Sequence, residues 1–79
     1  MAAGGAETVV GALRAHVGVA AVQEKGCVAA ANLASNSAEG QAALRRAGVD
    51  KLARAAARKH PNHGGVQKMS AGLLKVLSQ

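Results

Sequence analysis

Few residues in this chain have types and spacings that do chemistry, and each has a structural reading beside the chemical one. His60 and His63 stand in an HxxH spacing, and His16 is the third histidine. A catalytic zinc site needs three protein ligands and an open position, and no third ligand is in evident register with the pair. His60 reads instead as the last residue of a helix before a loop, a place His16 takes earlier in the chain. Cys27 is the single cysteine, so it has neither a disulfide partner nor a CxxC pair. With no base or acid constellation beside it, the thiol reads as a small apolar side chain in a core, and a reducing compartment suits it. The sequence holds no paired carboxylates, no nucleophile with its base and no glycine-rich phosphate loop after a strand. It therefore predicts a protein that is not an enzyme and that uses no cofactor or metal.

The remaining chemistry is charge. Ten Lys and Arg stand against four Asp and Glu, a net charge of +6, which draws acidic partners over long range and also keeps a small domain soluble. Lys51, Arg54 and Arg58 form an outward stripe, with Arg45 and Arg46 close by in sequence. These five are candidate contacts to an acidic partner. A nucleic-acid partner is the less favoured alternative, because the chain has no aromatic residue to stack on bases and no recognised DNA-reading motif. No run of about 18 apolar residues is present to span a bilayer, and the start of the chain lacks the charged and apolar regions of a secretory signal. A cytoplasmic location is expected, with a nuclear one as the alternative and no membrane partner.

The elements that would position these residues are helices. Twenty of the 79 residues are Ala, and Phe, Tyr, Trp and Ile are absent, so helix propensity is high while Val, Leu and Met must supply most of the core. Apolar spacing predicts helices over 7–16, 19–35, 38–47, 49–59 and 66–77. Gly4 and Gly5 punctuate the first start, Ser37 reads as an N-cap, Gly48 as a left-handed helix end, and Pro61 to Gly65 as a loop. In the long helix from Val19, the expected inward stripe is Val22, Gly26, Ala30, Leu33 and Ala34, with Gly26 marking close packing. Leu33 and Leu52 are expected core residues.

The chain also repeats itself. Val22-Gln23-Glu24-Lys25-Gly26-Cys27 and Val66-Gln67-Lys68-Met69-Ser70-Ala71 lie 44 residues apart, each with a histidine six residues upstream. Gly5 to Val9 lies over Gly48 to Leu52 at a spacing of 43, so one residue is gained near Lys59. Periods of roughly 40 to 47 residues with two or three helices per unit belong to helical arrays that bind partners along a surface.

Val22-Gln23-Glu24 leading to Ala31-Asn32-Leu33-Ala34-Ser35, followed by Ala43-Leu44 and Ala47-Gly48-Val49 leading to Leu52, resembles an armadillo repeat, with HEAT repeats as the second choice. The resemblance covers nearly the whole chain, 1–79, as one repeat region. It implies an all-α, armadillo-type solenoid fragment of about five helices, with 6–35 as a partial repeat and 38–78 as one full repeat. It also implies a protein–protein interaction module that holds a protein or peptide segment in a groove lined by the third helix of each repeat. Asn32 matches the asparagine that holds the peptide backbone in such grooves. Val28 stands where importins carry a tryptophan, and Gly72 and Val76 form the corresponding pair in the second copy. Lys25, Val28, Asn32 and Ser35 share one helix face and are the candidate partner-binding residues. A further alternative makes these repeats the accessory region of a larger enzyme. With no first helix ahead of Val9, Val10 and Leu13, those residues are expected to expose apolar surface and favour self-association.

Overall fold

The computed structural model describes residues 2–78, and the side chains of residues 5–78. These residues form five helices: α1 (Ala2–Ala15), α2 (Ala20–Asn36), α3 (Ala38–Arg46), α4 (Val49–Lys59) and α5 (Gly64–Leu77). The described residues contain no strand, and no helix is long and apolar enough to cross a membrane.

Local signals account for most helix ends. The Ser37 side chain accepts a hydrogen bond from the Gly40 N–H at 3.0 Å and caps α3. Gly48 adopts φ +80°, a left-handed conformation that is nearly free of cost for glycine, between α3 and α4. The Nδ1 atom of His63 accepts from the Val66 N–H at 3.1 Å, so an imidazole caps α5 and the helix begins at Gly64 instead of Val66. At the other end of the chain, α1 starts at Ala2, ahead of the expected Glu7, and passes through Gly4 and Gly5. The buried stripe it carries starts one turn early, at Ala6.

The core draws on every helix: Ala6, Val10 and Leu13, then Cys27, Ala30 and Ala34, Leu44, Val49 and Ala53, and finally Leu73 and Leu77. Helix α2 is central, packing along α5 and against α1 and α3. Two glycines permit this closeness. A Cβ on Gly26 would lie 2.6 Å from Leu13 Cδ2, and one on Gly40 would lie 2.8 Å from Leu33 Cγ and 3.1 Å from the Leu33 carbonyl oxygen. Gly26 thus marks the close packing its place in the helix predicted.

Three expectations are corrected. The inward stripe of α2 is Gln23, Cys27, Ala30 and Ala34, rotated from the expected Val22, Gly26, Ala30, Leu33 and Ala34. Leu33 and Leu52 are half-buried beside the core, while Leu13, Leu44 and Leu73 are its fully buried leucines. Val10 and Leu13 are 4% and 0% exposed; α2 and α3 cover α1, so the face expected to lie open is closed.

Candidate functional site

The site is built on two helical corners that make the same bonds 44 residues apart. At the first corner the His16 N–H donates to the Ala12 carbonyl, the Val19 N–H to the His16 carbonyl and the Gln23 N–H to the Val19 carbonyl, at 3.0, 3.0 and 3.1 Å. At the second, His60 donates to Ala56, His63 to His60 and Gln67 to His63, at 3.0, 3.2 and 3.0 Å. Each corner is then clamped by its glutamine. Gln23 Nε2 donates to the carbonyls of Leu13 and His16 at 3.1 and 3.0 Å, and Gln67 Nε2 donates to those of Ala57 and His60 at 2.7 and 3.1 Å. Carbonyls at a helix C-terminus have no partner within their own helix, and the amide fork supplies one. The corners also touch, since the His60 ring lies with Nε2 2.8 Å from the Val17 carbonyl. That oxygen can only accept, so Nε2 carries the proton.

This bonding sets α2 and α5 side by side, with a groove of about 250 Å³ between them. Val28, Ala31 and Asn32 form one wall and Lys68, Met69, Gly72 and Val76 the other, with Cys27 and Leu73 at the bottom. The groove continues over the outer face of α2 into a hollow of about 430 Å³ lined by Ala21, Glu24, Lys25, Val28, Ala29 and Asn32. Val28 is 38% exposed, among the most open of the large apolar residues. The lining is mostly aliphatic and suits a partner that brings its own apolar side chain.

Of the residues singled out in the sequence, Val28 and Asn32 line both depressions and Lys25 lines the outer one. Ser35 is exposed on the same helix but lines neither. Gly72 and Val76, the counterparts of Val28 and Asn32, stand across the groove from them. Lys68 and Met69 were not foreseen as groove residues, although the 44-residue offset from Glu24 and Lys25 points to both.

The stripe Lys51, Arg54 and Arg58 is exposed along α4, and Arg45 and Arg46 are exposed on α3. Arg45 donates to the Leu77 carbonyl and Gln41 Nε2 to the Val76 carbonyl at 3.1 Å, so α3 closes the C-terminal end of α5. Arg54 pairs with Asp50 at 3.5 Å and shares a shallow hollow with Arg45. Arg46 lies in a different hollow, beside Glu7, and exposed Lys51 and Arg58 line neither.

No three His, Cys, Asp or Glu side chains converge to hold a metal ion among the described residues. Both members of the HxxH pair are turned to backbone groups, His60 to Val17 and His63 to Val66. Cys27 is a free buried thiol whose pKa burial pushes above the ordinary value, which opposes the thiolate needed for reactivity. No family model, curated protein or solved structure matches the chain.

Proposed function

We propose that this chain is a protein–protein interaction element of armadillo type, with 6–35 as a partial repeat and 38–78 as a full one, and that the α2–α5 groove holds an extended segment of a partner. The observation that carries this reading is the pair of bonded corners at a 44-residue spacing, one leading into α2 and the other into α5. Two further points support it. Asn32 presents an exposed amide at the groove, able both to donate to and to accept from a peptide backbone. The residues that α5 turns toward α2, among them Met69, Gly72 and Val76, are the 44-residue counterparts of Lys25, Val28 and Asn32 on the open face of α2. The role is passive recognition: rigid helices supply shape and a few polar contacts, with no bond made or broken. A reducing interior such as the cytoplasm suits its free thiol.

The test is selection of random twelve-residue peptides on the immobilised chain, followed by amide-shift mapping of the enriched peptides by NMR. Shifts centred on Val28, Asn32, Gly72 and Val76, with binding lost in Val28→Asp, are the expected result. Absence of enrichment, or enrichment indifferent to Val28→Asp, would overturn the reading.

A further inference from the structure

Charge around the groove is lopsided, and the cause is structural. Lys68 stands on the α5 wall and Lys25 on the outer rim of α2. The acid that also lines the outer hollow is Glu24, whose carboxylate lies beside Gly65. A Cβ built on Gly65 would lie 2.5 Å from the Glu24 carboxyl carbon, so the group rests against the first turn of α5. That turn has no acid of its own, and the positive end of the helix dipole favours a carboxylate there. Gly65 leaves the space for it. The ion pair within 4.0 Å among the described residues is Arg54 with Asp50, away from the groove, and neither lysine has a carboxylate that close.

We infer that the groove selects an acidic segment: an extended peptide whose carboxylates meet Lys25 and Lys68 while an aliphatic side chain between them sits among Val28, Met69 and Gly72. This rests on the groove reading above and adds the partner's chemistry. The net charge of +6 steers an acidic segment toward the molecule and a basic one away. Asn32, uncharged and exposed at the junction of the two depressions, is free to bond the peptide backbone in either case.

The test uses three displayed libraries of twelve-residue peptides. They share random aliphatic positions and carry Asp and Glu, Asn and Gln, or Lys and Arg at the remaining positions. Enrichment of the acidic library is expected, with affinity reduced about tenfold or more by Lys68→Glu, and again by Lys25→Glu, as for other close charge pairs at interfaces. Both lysines are exposed, and unchanged helicity and melting confirm that the variants fold. Equal enrichment of the amide library, or preference for the basic one, with binding still lost in Val28→Asp, overturns the acidic preference and leaves the groove reading standing. Enrichment of none, or enrichment indifferent to Val28→Asp, overturns both.

Discussion

Gln23 and Gln67 make the same pair of hydrogen bonds 44 residues apart, yet Gln23 is 0% exposed and Gln67 lies open to solvent. The second corner and α5 cover the first, and among the described residues nothing covers the second in turn. The same chemistry therefore carries different weight. Gln23→Ala takes the amide from the Leu13 carbonyl in the interior, leaves the His16 carbonyl with the Val19 N–H alone and opens a void, and should cost about 2–4 kcal/mol. Gln67→Ala exposes its carbonyls to water and should cost about 0.5–1.5 kcal/mol. Urea unfolding of the two variants checks the order, and equal losses would contradict the burial of the first corner. Gln23 Oε1 has no hydrogen-bond partner among the described residues, so replacement by an apolar side chain of similar length, Gln23→Met, should cost less than Gln23→Ala.

Glycine-to-alanine changes should take opposite signs along the chain. At Gly40 the new methyl meets Leu33 including its carbonyl oxygen, and at Gly26 it meets fully buried Leu13. Each should destabilise by about 1–3 kcal/mol, as overpacking does. Gly11 lies within α1 with nothing within 4 Å of the added Cβ, and Gly11→Ala should stabilise by about 0.5–1 kcal/mol. Thermal melts of the three proteins separate these outcomes.

The phase of the helices can be read from leucine truncation. Leu44→Ala and Leu73→Ala, at fully buried positions, should each cost about 2–5 kcal/mol. Leu52→Ala, at the edge of the core, should cost clearly less. A larger loss at Leu52 than at Leu44 would mean that α4 is rotated from the orientation described.

Burial of Cys27 links stability to alkaline pH. Its folded-state pKa lies above the ordinary thiol value of 9.0 because burial disfavours the thiolate. Once the pH passes that ordinary value, the unfolded chain loses the proton that the folded chain keeps. The contribution is intact below this range and falls as pH rises through it. Cys27→Ala should remove this part of the alkaline decline, seen by comparing unfolding curves of the two proteins from pH 8 to 10. A thiol reagent at pH 8 should label Cys27 only as fast as the protein opens.

Asn32→Ala should weaken a bound peptide by about 0.5–1.5 kcal/mol through loss of one polar contact, with helicity and melting unchanged because the side chain is exposed. Isothermal titration with a peptide from the selection measures the first part and circular dichroism the second. A loss of fold in this variant would place Asn32 in the framework instead of at the surface.

Elements governed by neighbours in sequence were legible from the residues alone. Ser37 and Gly48 end and begin helices through their own side-chain oxygen and their own φ, and α4 spans the residues that its apolar spacing predicted. Lys25, Val28 and Asn32 could be placed on one face because 3.6 residues per turn leaves little choice. What the tertiary structure decided was which way that face looks and how deep each residue lies. Helix α2 is rich in alanine on every side, so its sequence gives little contrast between inward and outward, and packing against α1, α3 and α5 turned Gln23 and Cys27 to the centre while leaving Leu33 at the edge. Lys68 and Met69 entered the site the same way. Their place in the groove depends on the approach of α5 to α2, a contact between segments some 40 residues apart that local periodicity cannot encode.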